Sequence, residues 1–572
     1  MKKKALLFGG TDGHGLIMTV LSERNLIAEG YEVQTVCIYE GRRPGSDGME
    51  TSAYSGTNIP CFFWQYTFPN YTREADRYDL VVIVDIPIPE PDSRCPTRIH
   101  EFILDQIEVL TRQNIRVLLI DHHKASFTHY GEVIRRGAEV IIASSALFTH
   151  YGRPDSYSFR WGRVGAICDR DDGVFPIDDD DPDLDLAARV DKAKIRLSET
   201  LEAVRRDNRE YFYAFSPDIP PVENAEVYDE FVFIPRLENN VGFKQLEAAC
   251  KQYNKDYGVG ISYKTSDKPV ILLATYWRSG KLPIALRLGL TRFRGHAAAL
   301  NVDYSPETLE QIFSILSRKT TGNSGHWLSR EGCDNFYDYV SRFLQKVEIP
   351  YFMTLHGWGH VEHVIAYGRS LGSLCGLSLH DQKILEWACL LHDIGYGYGY
   401  DVGERSVLSD EEIHDHHHEY SYEMIHAWDA RGLFEGFLSH DEVRLVADLC
   451  LRHRKKCRLP PTEKELLYVL LKVADAMDND KKRAQKNDEG KFYDNIKEGM
   501  SEASRREWEA HQAVEGLVLH ASATAMRFRV VVNDPIKAQP KINDISLEIQ
   551  PLLKFFSVHV EWCDICDQQV QV

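Results

Sequence analysis

The chain has 572 residues and a formal net charge of −19. At about 100–200 residues per domain, this length predicts about three or four structural units. The acidic balance argues against a duplex nucleic acid partner, which needs a basic face. It does not exclude a small phosphorylated substrate, which metal ions and a few local cations can attract. The longest apolar runs, such as Leu80–Ile88, are far shorter than the ~20 residues of a membrane span.

The sequence gives little indication of a targeting segment or of functional cysteines. The apolar stretch Ala5–Phe8 after the basic start breaks at a Gly-Gly pair, so it is too short for a signal peptide. We therefore expect a cytoplasmic protein without a membrane partner. Of the twelve cysteines, only Cys563 and Cys566 form a CxxC pair. A single pair is a poor zinc site, so we expect reduced cysteines without a catalytic role.

Apolar strands alternate with helical stretches over roughly the first 175 residues. Continuous runs of Val, Ile and Leu are typical of strands buried in a parallel sheet. The segments between them, such as Glu101–Gln113, are long enough for crossover helices. The predicted strands are Lys2–Phe8, Glu32–Ile38, Leu80–Val84, Arg116–Ile120, Glu139–Ala143 and Val164–Cys168.

The rest of the chain changes character twice. A second α/β unit is predicted over 224–318, and the polar stretch that begins at Arg318 is a linker candidate. Residues 335–505 show helical periodicity, and strands return at Ala525–Val532 and Phe555–Glu561. We therefore predict a multidomain protein: a parallel-sheet α/β domain (1–210), a second α/β domain (224–318), a helical domain (335–505) and a small α/β module (515–572).

Four aspartates follow predicted strands of the first domain: Asp12, Asp85, Asp121 and Asp169. The carboxyl ends of strands in an open α/β sheet meet at one edge, so these carboxylates are expected to gather there. Clustered carboxylates repel one another unless a cation holds them. A single aspartate after a strand is usually a turn or helix cap. Four together, one of them continuing as His122-His123, favour a site for Mn²⁺ or a similar divalent ion.

This pattern resembles the DHH phosphoesterase superfamily over roughly residues 1–320. Asp12 matches its first motif, Asp85 its second, Asp121-His122-His123 its third and Asp169 its fourth. The resemblance implies metal ligands among these residues, with Asp121 and His122 in catalysis and Asp12, Asp85, His123 and Asp169 holding metal. It also implies manganese as the preferred ion.

Two features refine that resemblance. Gly295-His296 and the three alanines after it look like the loop of the DHH-associated substrate-binding domain, and Arg292 and Arg294 add charge suited to phosphate. The first motif departs from the family, because His14 stands where a second aspartate is usual and no histidine precedes Asp12. Imidazole is a competent ligand, so His14 is retained as a metal candidate.

A second set of histidines and aspartates lies in the helical region. One such histidine on a helix is usually exposed or bound within the core, but five groups in this order resemble the HD superfamily of metal-dependent phosphohydrolases. On that resemblance one metal is held by His360, His392, Asp393 and Asp475. A second is held by His417 and His453, with the catalytic Asp393 bridging both ions. The implied ions are Mn²⁺, Fe²⁺, Co²⁺, Ni²⁺ or Mg²⁺.

The segments around these residues look more narrowly like the C-terminal HD region of the exopolyphosphatase/guanosine-pentaphosphate phosphohydrolase family. They are His392–Tyr396, His417–Tyr422, Arg452–Pro460 and Val473–Asp478. The actin-like ATPase fold of that family is absent from this sequence, so its polyphosphatase activity is not implied. The resemblance implies a helical fold, a pocket for phosphorylated compounds and a homodimer.

The sequence therefore predicts a metal-dependent phosphohydrolase or phosphodiesterase. Its expected substrates are small phosphorylated compounds: nucleotides, nucleotide second messengers or short oligonucleotides. One alternative is a single-activity HD phosphohydrolase whose DHH half is a nucleotide-binding regulatory sensor, which the histidine at position 14 motivates. A scaffold with two degenerate sites is a further alternative.

Overall fold

The computed structural model places side chains and backbone for most of the chain. It describes residues 2–10, 12–37, 63–73, 77–89, 98–123, 129–143, 156–169, 181–215, 224–237, 242–263, 269–276, 284, 288, 294–296, 299–317, 339–340, 343–344, 354, 356–398, 409–454, 457–479, 481–484, 493, 497–564 and 570–571. These residues divide into two compact units, the second of which comprises the described residues between 224 and 344.

The first unit is built on a sheet whose amino-terminal strands are parallel. The strands are β1 (Lys3–Gly9), β2 (Tyr31–Cys37), β3 (Leu80–Val84), β4 (Arg116–Asp121) and β5 (Glu139–Ala143). They stand in the order β5-β4-β3-β1-β2, and each neighbouring pair is parallel. Every residue of β3 is buried, as expected for a strand covered on both faces.

Helices cover this part of the sheet. They are α1 (Gly13–Ala28), α2 (Phe68–Thr72), α3 (Ile99–Arg112), α4 (Tyr130–Arg135), α5 (Ser156–Asp169), α6 (Pro182–Ala193) and α7 (Leu197–Arg205). The predicted strand Val164–Cys168 is wrong, because these residues form the last turns of α5. Helix α5 packs against both α1 and α6. Burial on several sides gives a helix the same continuous apolar run as a buried strand.

The helical region belongs to the same unit. Its helices are α10 (Trp358–Leu374), α11 (Leu379–Leu391), α12 (Asp410–Ala430), α13 (His440–Leu451) and α14 (Glu465–Met477). Helix α14 is buried along most of its length, against α10 and α11. Serine caps start several of these helices, and the side chains of Ser439 and Glu442 make a reciprocal capping box at α13.

The carboxyl-terminal strands extend the amino-terminal sheet. Strands β12 (Val514–Ala521), β13 (Ala525–Val532), β14 (Ser557–Asp564) and β15 (Val570–Gln571) continue it beyond β5, with α15 (Glu502–Gln512) and α16 (Pro535–Ile549) beside them. The junction is antiparallel, and Val518 lies opposite Ala143. Across it His520 Nε2 lies 2.9 Å from Glu139 Oε2. The two ends of the chain therefore share one sheet.

The second unit has a mixed sheet of its own. Among the described residues its strands are β6 (Glu226–Val227), β7 (Phe231–Leu237), β8 (Tyr257–Ser262), β9 (Val270–Thr275), β10 (Arg294–His296) and β11 (Ala299–Asp303), in the order β10-β11-β9-β8-β7-β6. Helices α8 (Gly242–Tyr253) and α9 (Pro306–Ser317) accompany it. Apolar side chains form two core clusters within the unit.

The predicted fold class is confirmed: a multidomain chain with a largely parallel α/β amino-terminal sheet, a helical region and carboxyl-terminal strands. The proposed linker from Arg318 and the cysteine Cys566 lie outside the described residues. In the part of the chain that is described, no helix is both long enough and apolar enough to cross a membrane.

Candidate metal centres

The first cluster lies at the carboxyl ends of three adjacent strands. Asp12 follows β1, Asp85 follows β3 and Asp121 ends β4, so the strand order brings them to one edge as predicted. Asp169 reaches the same place from the end of α5. We call this cluster the strand-edge centre; its residues are Asp12, His14, Asp85, Asp121, His122, His123 and Asp169.

Asp85 is the middle of the strand-edge centre. Its Oδ2 lies 2.9 Å from His14 Nδ1, and its Oδ1 lies 3.2 Å from His122 Nε2. His122 Nε2 is also 3.1 Å from Asp169 Oδ2. The backbone of Asp85 has a φ of 56°, a left-handed conformation that costs about 1–3 kcal/mol in a residue other than glycine. Such strain is concentrated at functional sites.

The imidazoles and carboxylates of the strand-edge centre shift one another's pKa values. Burial alone would lower the pKa of His14, but the Asp85 carboxylate outweighs it and raises that pKa to about 9. Burial alone would raise the pKa of Asp85, but His14 and His122 hold it well below its usual value. In the absence of a cation, protons on the histidines therefore balance the buried carboxylates. A divalent ion would take the place of those protons.

Asp12 and Asp121 have more local roles in this arrangement. Asp12 Oδ1 accepts a hydrogen bond from Gly15 N at 2.6 Å and caps α1. Asp121 Oδ1 accepts from the backbone N–H groups of His122 and His123 and lies 2.6 Å from His123 Nδ1. Its Oδ2 accepts from Tyr130 Oη at 2.5 Å. Asp121 thus orients the histidines that follow it.

The donor set of the strand-edge centre fits a cation. His14 Nε2 is buried and makes no hydrogen bond among the described residues. Three overlapping groups have ligand atoms within 4.8 Å of one another: His14 with His122 and Asp169, Asp85 with His122 and His123, and Asp12 with His14 and Asp85. Nitrogen and carboxylate oxygen in this mixture suit Mn²⁺ and its neighbours.

The second cluster lies inside the helical region, and we call it the helical centre. It brings together every residue that the sequence singled out there: His360 near the start of α10, His392 and Asp393 after α11, His417 in α12, His453 after α13 and Asp475 in α14. His417 faces the cluster, whereas the neighbouring His416 is exposed and pairs with Glu419.

Asp393 joins the two halves of the helical centre. Its Oδ2 lies 3.6 Å from His360 Nε2 and 3.4 Å from His392 Nε2. Its Oδ1 lies 3.4 Å from His417 Nε2 and 3.5 Å from His453 Nε2. Asp475 Oδ1 completes the first half, 3.3 Å from His360 Nε2. One carboxylate therefore faces a different pair of imidazoles with each of its oxygens.

The outer nitrogen of each histidine is engaged elsewhere. The Nδ1 atoms of His392, His417 and His453 lie 2.6–2.8 Å from the carbonyl oxygens of the residues three positions earlier in the chain. His360 Nδ1 lies 2.7 Å from Asp478 Oδ2. Each Nδ1–H is thereby donated outward, and each Nε2 is left to point at Asp393. Outer partners of this kind are typical of metal-binding histidines.

Burial and charge make the helical centre a strong cation site. Burial lowers the pKa of His417 well below its usual value, so this imidazole stays neutral. Burial would also lower the pKa of His392, but Asp393 and Asp475 raise it to about 9. Burial would raise the pKa of Asp393, but the surrounding histidines hold it far lower. Four imidazoles and two carboxylates suit divalent transition metals.

A glycine brings the second half of the centre close to the first. A Cβ on Gly395 would lie 1.8 Å from the carbonyl oxygen of His417, so only glycine allows this approach. Gly395 N donates to Ser421 Oγ at 2.9 Å, and Ser421 Oγ donates to the carbonyl of His392 at 2.7 Å. The turn after α11 is thus fastened to α12.

Sequence reasoning missed several supporting residues. Asp478 holds both His360 and His363, whose Nδ1 lies 2.8 Å from Asp478 Oδ1. Its place three residues after Asp475, on the same side of the helix, was the available signal. Arg483 and His356 form a buried pair beside the centre, with 2.7 Å between Arg483 Nη2 and His356 Nε2; no local pattern marks either one.

The predicted substrate-binding residues lie in the second unit. Gly295, Arg294 and His296 form β10, whose backbone pairs with β11, and their side chains are outside the described part of the structure. Arg292 lies outside the described residues altogether. Their roles stay predictions.

Comparisons with known proteins cover parts of the chain. No curated protein matches it. Matching solved structures include exonuclease RecJ bound to manganese, at 12% identity over 55% of this chain and 89% of that one, with a TM-score of 0.30. RecJ from Thermus thermophilus in complex with Mn²⁺ matches at 14% over 55% and 52%, with a TM-score of 0.29. An uncharacterized protein from Helicobacter pylori G27 matches at 13% over 55% and 99%, with a TM-score of 0.19.

The family model described as HD domain matches residues 357–480. This range contains every ligand of the helical centre and the supporting carboxylate Asp478. Residues 357–480 thus resemble an HD domain, and we refer to them by that name; together with the two His/Asp clusters this match supports a metal-dependent phosphohydrolase in general terms.

Proposed function

We propose that the chain is a metal-dependent phosphohydrolase acting on small phosphorylated compounds such as nucleotides, nucleotide second messengers or short oligonucleotides. The helical centre is the proposed catalytic centre. The observation that carries the proposal is the position of Asp393, whose two oxygens each face a separate pair of imidazoles. This is the donor arrangement that a pair of divalent ions requires. The finer resemblance to the exopolyphosphatase family stays a prediction.

The chain's own residues supply the rest of the chemistry. Bound divalent ions would acidify a coordinated water and offset the charge of a phosphoryl group. Asp393 would hold the pair together, and Asp478 would fix His360 with its Nε2 toward the centre. Tyr396 stacks on His417, with 4.5 Å between ring centroids, and keeps that ring from turning.

Arg483 is the proposed phosphate contact. Its guanidinium is buried and donates to His356 Nε2, while His356 Nδ1–H donates to the carbonyl of Thr354 at 2.6 Å. Burial, together with the Arg483 charge, lowers the pKa of His356 well below its usual value, so the ring stays a neutral acceptor. The His356 ring lies 5.7 Å from that of His360. A permanent cation is thus held one ring away from a predicted metal ligand, where a planar guanidinium suits phosphate oxygens.

Replacing Arg483 by glutamine is expected to raise KM for a phosphorylated substrate by about 10–100-fold, because a hydrogen bond to a charged group contributes about 1.5–3 kcal/mol. Metal content should stay unchanged, and Arg483→Lys should recover part of the loss. The matched control is Arg444→Gln, an exposed arginine on α13 that pairs with Asp441. Steady-state kinetics and metal analysis on the same samples test this prediction. Loss of metal in R483Q would show that Arg483 supports the metal ligands and would contradict a role confined to phosphate binding.

A second candidate function concerns the strand-edge centre. His14 stands where the DHH superfamily usually has a second aspartate. Both oxygens of Asp121 are hydrogen-bonded to groups of the protein. These observations favour the alternative in which the DHH-like half binds a nucleotide as a regulatory sensor and only the HD domain turns substrate over. Comparing Asp121→Ala with Asp393→Ala separates the two: activity lost only in Asp393→Ala supports the sensor, and activity lost in both supports catalysis at each centre.

The test of the proposal is a substrate panel on the purified full-length protein. Samples loaded in turn with Mn²⁺, Co²⁺, Ni²⁺, Fe²⁺ and Mg²⁺ are offered bis(p-nitrophenyl) phosphate, p-nitrophenyl phosphate, nucleotides and dinucleotides. We expect hydrolysis with at least one metal and its removal by a chelator. If none of these compounds is hydrolysed with any of the five metals, the proposal is refuted.

A further inference from the structure

Helix α4 is clamped between the strand-edge centre and the HD domain. At its first residue, the fully buried Tyr130 donates its hydroxyl to Asp121 Oδ2 at 2.5 Å. At its second residue, Gly131 N donates to Ser373 Oγ at 2.9 Å. Ser373 belongs to α10 of the HD domain. Two consecutive residues therefore join Asp121, a predicted catalytic residue of one centre, to a helix of the other.

The contact between α4 and α10 leaves no spare room. A Cβ on Gly131 would lie 1.7 Å from the carbonyl oxygen of Ser373, so the two backbones touch directly. At the other end of α4, Arg135 Nη1 lies 3.6 Å from the position of a Cβ on Gly376, just beyond α10. Both ends of α4 thus meet the carboxyl end of α10. A shift of α10 must move α4, because closely packed backbones transmit displacement.

Helix α10 also carries a ligand of the helical centre. His360 lies near its start and Ser373 near its end. Ser373 lies thirteen positions after His360 in one unbroken α-helix, which corresponds to about 20 Å at 1.5 Å per residue. The same rigid element therefore holds an imidazole of the helical centre and the support of Asp121.

We propose that Tyr130 and Ser373 are positioning residues through which helix α10 of the HD domain holds the Asp121 carboxylate, so that metal binding at the strand-edge centre depends on the docked HD domain. Asp121 in turn orients His123 through its Oδ1. Neither Tyr130 nor Ser373 is expected to touch substrate. The inference rests on the proposed metal binding at the strand-edge centre. Loss of such an outer partner typically weakens metal binding by about 10–100-fold.

The experiment uses the full-length protein carrying both His392→Ala and His453→Ala, which remove one ligand from each half of the helical centre and leave α10 unchanged. Mn²⁺ is titrated by calorimetry into this parent and into versions that also carry Tyr130→Phe or Ser373→Ala. We expect Mn²⁺ binding about 10–100-fold weaker in both. If Ser373 acts through Tyr130, the version with both changes binds no more weakly than Tyr130→Phe alone, which a merely structural role would not produce.

Two matched controls remove the same atoms elsewhere. Tyr157→Phe removes a buried hydroxyl of the same half that donates to the carbonyl of Val204. Ser370→Ala removes a buried hydroxyl of α10 that has no hydrogen bond among the described residues. Both should bind Mn²⁺ like the parent.

The outcomes separate this inference from the proposal beneath it. A parent that binds no Mn²⁺ refutes the metal site at the strand edge, and the inference fails with it. A parent that binds Mn²⁺ while Tyr130→Phe and Ser373→Ala bind equally well refutes the link through α4 alone. Additive losses in the double variant also overturn it.

Discussion

Replacing Asp393 by asparagine is expected to lower hydrolysis by at least about 10³-fold, since catalytic groups that act as a unit lose most of the rate together. Asparagine has nearly the same shape as aspartate but keeps only one oxygen acceptor. Its amide NH₂ would face either the His360 and His392 pair or the His417 and His453 pair. A donor cannot bind a cation, so bridging is lost even though the fold is kept.

Metal analysis on the same variant gives a readout that does not depend on the substrate. The wild-type helical centre should hold two divalent ions, and Asp393→Asn should lose at least one. The matched control is His416→Ala on the same helix as His417, because His416 is exposed, pairs with Glu419 and is not one of the ligands of the helical centre. It should keep the metal and the activity. Full metal content in Asp393→Asn would show that Asp393 does not bridge.

The positions of the carboxylates and histidines were predictable because they depend on local rules. Buried strands can be recognised in the sequence by their unbroken apolar runs. The strands Leu80–Val84 and Glu139–Ala143 have the predicted bounds. The carboxyl ends of parallel strands share an edge whatever the exact order, so Asp85 and Asp121 meet. Asp169 joins them from the end of a helix. The sequence showed that Asp169 follows an apolar segment, but it did not show that this segment is a helix.

Other features depend on partners that are far away in the chain. The support of His360 by Asp478 spans 118 residues, and the pairing of Gly131 with Ser373 spans 242. Nothing local distinguishes Tyr130 or Arg483 from an ordinary buried tyrosine or a surface arginine. The carboxyl-terminal strands were visible as strands. The pairing of β12 with β5 could not be predicted, because alternating apolar residues indicate a strand but not the strand with which it pairs.

The shared sheet leads to the second prediction: residues 1–346 expressed alone should not give a stable monomer. This fragment ends before α10 and lacks β12, which covers β5 in the full chain. Val140, Ile141 and Ile142 would then form an exposed, apolar edge strand, and such edges pair with other chains. The fragment would also lose the helix that packs against α4.

Three fragments decide the matter by gel filtration and thermal unfolding. We expect residues 1–346 to aggregate or to lack a cooperative transition. Residues 217–346 should unfold cooperatively, because their described strands form a separate sheet with two apolar cores. Coexpression of 1–346 with 347–572 should restore soluble protein, since the second piece supplies both β12 and α10. A monomeric 1–346 fragment with a sharp transition and the Mn²⁺ affinity of the intact strand-edge centre would contradict both this prediction and the proposed support of Asp121 by the HD domain. The two halves would then be independent modules joined only in sequence, and the catalytic and sensor roles proposed for them could be separated by simple truncation.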